Sequence, residues 1–255
     1  MFSALTFNMQ NGEPWTGDSG ATPPAELDRT IHFLRSHAAD VIFLQEVEAG
    51  IDGGEQIQPP PNFSRLREAL PDYDAVFGYP PVNPDELPFG IGLAIFSRTP
   101  LGSFRSQVLP AAPVPFEFGG RSRMPSDRLL IEATTTIAGH RVELMNTHLQ
   151  AFFMIGSTSD AFPAQRDAVA ARLSRVEGAA LLAGDFNCTP EESLLEQFRA
   201  AGFEPGQESV VTWRRRPYVL DHIFFCPPLR LLECAVIETD VSDHHAVRAE
   251  FDFNE

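Results

Sequence analysis

Six short apolar runs in the sequence each stop at a side chain able to hold a metal ion, accept a proton or donate to an oxyanion. They end in Asn8, Glu46, His148, the pair Asp185 and Asn187, Asp221, and the pair Asp243 and His244. Singly, each has an ordinary explanation: Asn8 and Asn187 suit turns, Glu46 and Asp185 a solvated surface, His148 a hydrogen-bonded core position. Together they carry more weight. The carboxylates close runs such as VIFLQE, LLAGDFN and VLDHIFF, where burial makes an unpaired charge costly. Such groups need partners, and a hard metal ion with water supplies them. No competing nucleophile motif is present: there is no G-x-S-x-G, no P-loop and no H-E-x-x-H.

Positioning these residues takes alternating strands and helices. Residues 2–8 read as an apolar strand that breaks at a polar, Gly-bearing loop. Leu27, Ile31 and Leu34 recur at helical spacing within 24–37, and VIFLQ then reads as a buried strand ending in Glu46. Residues 49–62 form a Gly/Pro/Gln-rich loop before a helix at 63–70, and a second irregular stretch, 79–88, precedes a strand at 92–97. Residues 110–125 read as a Pro/Gly/Arg-rich loop whose Arg121 and Arg123 suit a substrate rim. Alternation over 128–137 and 141–149 predicts a hairpin turning at Gly139-His140 and delivering Asn146 and His148 at its end. Helices are expected at 165–176 and 190–201, and strands at 180–183, 218–225, 229–238 and 246–253. This alternation favours an α/β sandwich over a bundle or a pure β fold.

At 255 residues and 43% hydrophobic content, one domain spanning 1–255 is expected. The net charge of −16 opposes stable binding to duplex DNA, which depends on cations displacing counterions from phosphates. The chain has no lysine, so all 19 positive side chains are arginine, for which genomic composition bias is the plainer reading. Cys188, Cys226 and Cys234 lack the density of a disulfide framework and the spacing of a zinc site, which fits a reducing compartment. The amino terminus shows no signal-peptide pattern and no apolar run reaches a membrane span, so a cytoplasmic monomer is expected.

The ordered series TFN at Asn8, LQE at Glu46, GLAIFSR at 92–98, NTHLQ at 146–150, GDFN at 184–187, LDHIFF at Asp221 and SDHH at 242–245 resembles the endonuclease/exonuclease/phosphatase superfamily. Either GDFN or SDH alone arises by chance; seven blocks in the family order, spanning most of the chain, do not. The resemblance implies a four-layer αββα sandwich of two mostly antiparallel sheets flanked by helices. It also implies a Mg²⁺- or Mn²⁺-dependent phosphoester hydrolase. Glu46 would be the principal metal ligand, with Asn8 close to the ion or the phosphate and Asp243 a further ligand. Asp185 would orient or deprotonate the attacking water, and Asn187 and Asn146 would serve the substrate. His244, held by Asp221, would be general base or cationic donor, and His148 would stabilise the pentacovalent oxyanion. Many nucleases of the family carry an acidic residue where this chain has Gln10, which favours one metal over two.

A phosphodiester is the expected substrate: nucleic acid, a nucleotidyl-protein adduct, a lipid headgroup or a small diester. Arg121, Arg123 and the Arg214 to Arg216 run would offer a local phosphate grip, and the FFMI segment at 152–155 an apolar face. A phosphomonoesterase and a catalytically silent scaffold of the same fold are the alternatives, although a silent relative has no need to keep the whole constellation.

Overall fold

The computed structural model describes residues 1–17, 23–48, 57–81 and 92–254, so most of the expected irregular stretches at 49–62 and 79–88 lies outside the described residues. The first half contains β1 (Phe2–Asn8), α1 (Leu27–Ser36), β2 (Val41–Gln45), α2 (Pro61–Ala69), β3 (Asp74–Gly78), β4 (Leu93–Ser97) and β5 (Gly102–Val108). There follow β6 (Phe116–Phe118), β7 (Arg121–Arg123), β8 (Leu129–Ile137), β9 (His140–His148), α3 (Ala164–Leu173) and β10 (Ala179–Asp185). The chain ends with α4 (Leu194–Ala200), β11 (Glu204–Pro205), β12 (Asp221–Cys226), β13 (Leu229–Ile237) and β14 (Ala246–Phe253).

Strand parity sorts these elements into layers. Side chains along a strand alternate between its faces. In β1, Phe2 and Ala4 point into one apolar cluster and Leu5 and Phe7 into another; β2 repeats this with Val41 and Phe43 against Ile42 and Leu44. One sheet runs β13-β14-β1-β2-β4-β3 and the other β11-β12-β10-β9-β8-β5. Pairing is parallel between β1 and β2 and between β9 and β10, and antiparallel elsewhere in both. The seam between the sheets is filled by Ala4, Phe43, Ile95, Ile131, Leu144, Leu181 and Ile223 among others. The outer face of the first sheet packs on α1 and α2 through Ile31, Leu34 and Leu66, and that of the second on α3 and α4 through Val169, Leu173 and Phe198. The result is the αββα sandwich.

The sequence reading differs from the structure in places. β5 went unrecognised: all seven of its residues are exposed on the sheet edge, so no apolar periodicity marks it. The stretch 110–125, read as loop, contains the hairpin β6–β7, turning at Gly119 and Gly120, both at positive φ. α4 starts at Leu194 rather than at residue 190, because the Glu192 carboxylate binds the Thr189 N–H and the Ser159 N–H and hydroxyl, holding 189–192 as a turn.

Asn146 also takes a place other than the expected one. Fully buried mid-seam, it donates from Nδ2 to the carbonyls of Leu44 and Ala94 at 2.9 Å each and accepts from Gln45 Nε2 at 2.7 Å. It staples one sheet to the other and has no face left for substrate. Asn146→Ala strands those partners in an apolar seam and is expected to cost about 2–4 kcal/mol. That would lower the thermal midpoint by roughly 5–15 °C, as measured by calorimetry. A residue that contacts substrate would instead raise KM at unchanged stability.

Candidate active site

The parity that builds the seam also gathers the chemistry. Asn8, Asn146, His148, Asp185 and Asp221 share the register of the seam-facing apolar residues two and four places before or after them in their strands. Four of these stand at strand ends. In the second sheet, Asp185 lies in register between His148 and Asp221; in the first, Asn8 pairs with Gln45, one residue before Glu46. One mouth of the seam thus receives a polar residue from each central strand.

The β9–β10 contact that sets this register needs Gly184, where a Cβ would lie 2.0 Å from the Thr147 carbonyl oxygen at a φ of +153°. Glu46 and Asn187 hold positive φ values of 50° and 49°, as do Gln10 and Asn11, so left-handed backbone concentrates around the site. The Glu46 turn is fixed by Asn11 N–H on the Glu46 carbonyl at 2.8 Å. Asn62 Nδ2 adds bonds to the carbonyls of Val47 (2.9 Å) and Asn11 (3.3 Å).

At the centre, Asn8 Nδ2 donates to Glu46 Oε1 at 2.9 Å and to Asp185 Oδ2 at 3.0 Å, drawing together carboxylates from opposite sheets. Its Oδ1 accepts the Gln10 N–H at 3.1 Å, which fixes the amide orientation. In this arrangement Asn8 turns its N–H groups to the two acids and bridges them, within reach of the position where the sequence places a metal. His148 Nε2 lies 3.5 Å from Asp185 Oδ2 and 3.9 Å from Glu46 Oε1. His244 Nδ1 bonds Asp221 Oδ2 at 2.8 Å, and its Nε2 faces Asp185 Oδ2 at 3.7 Å and Asp243 Oδ1 at 4.0 Å. The His244 main chain is tied to β1 through Ser242, whose hydroxyl accepts the His244 N–H and donates to the Asn8 carbonyl. Asn187 donates its main-chain N–H to Asp185 Oδ1 and its amide to the Leu149 carbonyl, bracing Asp185.

Charge is heavily unbalanced here. Burial, then Asp243 and Asp185, push the Glu46 carboxyl up to about 7; burial and Asp221 push Asp185 up to about 7. Burial alone would lower the His244 pKa, but Asp221 and then Asp185 raise it well above the usual histidine value, which makes the ring a cation at neutral pH. Burial, Arg128 and His244 hold His148 well below that value, hence neutral. Ligand atoms of Glu46, His148 and Asp185 lie within 4.8 Å of one another, as do those of Asp185, Asp221 and His244. Buried carboxylates that repel one another, with oxygen and imidazole donors converging, fit a hard divalent cation. Asp243 stands outside both groups, with Oδ2 engaged by Trp213 Nε1 at 3.2 Å and Arg215 Nε at 2.7 Å.

Arg121 and Arg123 lie on β7, in the connection that returns to β8 beside His148, since Leu130 pairs with Thr147. Of the Arg214 to Arg216 run, Arg216 is exposed and the first two are engaged. Arg214 donates to the Thr239 carbonyl and Arg215 to Asp243. The FFMI segment divides: Phe152 is buried, Met154 is 64% exposed, and Phe153 packs against Trp213 and Tyr218. Arg128 was missed; it is buried next to His148, and the only signal was a cation at the head of a strand antiparallel to one ending in histidine. Cys188 is no nucleophile, because burial pushes its thiol up to about 12.

Residues 5–244 match the sequence profile of the Endonuclease/Exonuclease/phosphatase family. A search of curated proteins found no match. Among solved structures, a family protein from Leptotrichia buccalis superposes with a TM-score of 0.71 at 17% identity, over 99% of this chain and 100% of its own. A Bacteroides thetaiotaomicron mannosyl-6-phosphatase gives 0.65 at 17% identity over 99% and 100%. A humanized D. rerio TDP2 gives 0.62 at 18% identity over 98% of each chain. At these identities the likeness establishes the fold.

A carboxyl raised on folding is protonated preferentially in the folded state, so it gives stability below its unfolded value of 4.5 that is lost as pH climbs through about 7. Glu46→Gln removes that loss. In EDTA the variant is expected to melt roughly 2–4 °C above the parent at pH 8 and together with it at pH 4.5. A parent melting as high as the variant at pH 8 would contradict the strain assigned to Glu46.

Proposed function

Because the chain belongs to the Endonuclease/Exonuclease/phosphatase family, we propose that it is a divalent-metal-dependent hydrolase of a phosphodiester. The family is divalent-metal dependent. The observation that carries the reading is the buried Asp221–His244 pair, with His244 Nε2 turned toward Asp185 across from Glu46 and His148. Glu46 and Asp185, with His148 beside them, would hold the ion. Its chemistry is to neutralise charge on the nonbridging phosphate oxygens.

The chain's own groups divide the remaining work. Asp185, kept ionised by the ion and braced by Asn187, would take the proton from the attacking water as the water oxygen bonds to phosphorus. Cationic His244, fixed in orientation by Asp221, presents Nε2–H to the oxygens that gain charge as the leaving alkoxide departs. Asn8 keeps Glu46 and Asp185 from separating under their mutual repulsion. A singly charged diester suits this mouth better than a doubly charged monoester, because Glu46, Asp185 and Asp243 already crowd it and Arg215 is engaged with Asp243. The net charge of −16 argues for a small or single-stranded diester over duplex DNA. Among the described residues no helix is long and apolar enough to cross a membrane.

Hydrolysis of bis-(p-nitrophenyl) phosphate and p-nitrophenyl phosphate, in EDTA and with Mg²⁺ or Mn²⁺, tests this. The expected result is metal-dependent turnover of the diester above the monoester, reduced by about two to four orders of magnitude in His244→Ala, which folds but melts lower because Asp221 loses its buried partner. Faster monoester turnover would reassign the enzyme as a phosphatase, and metal binding without turnover of either would point to a silent scaffold.

A further inference from the structure

We propose that Arg215 is a positioning residue that restricts Asp243 to one working oxygen, and that Trp15 holds Arg215 in that post. This rests on the proposed cation site and takes Asp243, which stands beside it as the charge that most raises Glu46, as a carboxylate facing the ion. Asp243 Oδ2 accepts two donors, the Arg215 guanidinium at 2.7 Å and the Trp213 indole N–H at 3.2 Å. Its Oδ1 points the other way, 4.0 Å from His244 Nε2. The main chain of the residue is pinned as well: its N–H donates to Gln10 Oε1 at 3.1 Å and its carbonyl accepts the Arg214 N–H at 2.9 Å. A carboxylate fixed at one oxygen and along its backbone can offer a cation a single oxygen in a single direction.

The clamp has its own support. The Arg215 guanidinium lies 4.9 Å from the centroid of the Trp15 ring and Arg214 lies 5.6 Å from it. A planar, weakly hydrated guanidinium is suited to stacking on indole while it bonds a carboxylate. Trp15 N–H donates to the Asp240 carbonyl at 2.8 Å, and Arg214 Nη1 to the Thr239 carbonyl at 2.5 Å. The loop after β1 and the loops before β12 and β14 therefore close on one another around Asp243. The arginine run, which would otherwise read as a grip for substrate phosphate, is built into the wall of the site.

This arrangement predicts two effects of opposite sign. With Arg215 gone, Oδ2 keeps only the longer Trp213 N–H bond and a compensating positive charge disappears, so a divalent cation binds more tightly. Asp243 also loses its fixed direction, so turnover falls. Loss of mere structural support would lower both, together with the melting temperature. Arg215 is exposed at the surface, so its replacement leaves the core untouched.

The test measures the Mn²⁺ dissociation constant from free-Mn²⁺ electron paramagnetic resonance, beside kcat for bis-(p-nitrophenyl) phosphate at saturating Mn²⁺. For Arg215→Met the dissociation constant should fall about threefold to tenfold and kcat should fall at least tenfold. Arg215→Lys should recover part of kcat, and Trp15→Leu should shift both values the same way by less. Unchanged or weaker Mn²⁺ binding in Arg215→Met overturns the clamp whatever kcat does. If the parent protein turns over nothing, yet Mn²⁺ binding tightens in Arg215→Met, the clamp stands and the hydrolase reading falls. A parent that binds no Mn²⁺ overturns both.

Discussion

One amide side chain, shared between two carboxylates from different sheets, is the interaction on which the site depends. Asn8 Nδ2 has two hydrogens, and they go to Glu46 and to Asp185. Burial raises both acids, with Asp243 adding to the rise at Glu46 and Asp221 to that at Asp185, a conformation the chain would abandon if nothing held the sheets in place. What holds them is the seam. Apolar residues interlock along its length, and Gln45 and Asn146 add a fully buried polar staple just below the mouth. Packing over a large area restrains a few groups whose own electrostatics are unfavourable.

The same frustration explains the surrounding wiring. Each of four carboxylates at the mouth has a donor: Asn8 for Glu46, Asn8 and the Asn187 N–H for Asp185, His244 for Asp221, Arg215 and Trp213 for Asp243. Asn8 and Asn187 orient Glu46 and Asp185 without cancelling their charge, while cationic His244 and Arg215 offset those of Asp221 and Asp243. His148 contributes a neutral ring, so the sum at the centre remains negative, and a divalent cation completes it. Glu46→Gln is thus expected to make the metal-free protein more stable and less useful, the usual direction of conflict between stability and activity.

Much of this was legible in the sequence because strand period and strand ends leave local marks. VIFLQE, NTHLQ, LLAGDFN and LDHIFF each combine a buried run with a polar residue of seam-facing parity or one place beyond it, and their order along the chain carried the family resemblance. What escaped was what depends on partners distant in sequence. Asn146 has the composition of a substrate-binding residue, but its neighbours Leu44, Gln45 and Ala94 come from the other sheet. The arginines at 214 and 215 looked like a solvent-facing run until Trp15 and Asp243 were placed against them. β5 left no mark, since an edge strand with every residue exposed needs no apolar pattern. Gly119-Gly120 between two short runs did signal a hairpin, hidden by the prolines that flank it.

The central claim is that a divalent cation replaces protons on the acids at the mouth, since partly buried Glu46 and buried Asp185 are both raised to about 7 in its absence. Isothermal titration with Mg²⁺ at pH 6.5, repeated in buffers of different ionisation enthalpy, counts the protons displaced on binding. The account predicts release of about one and a half protons per ion bound, shrinking toward zero at pH 8.5. Binding that releases no proton at pH 6.5 would contradict it, because the acids would then be ionised before the cation arrives.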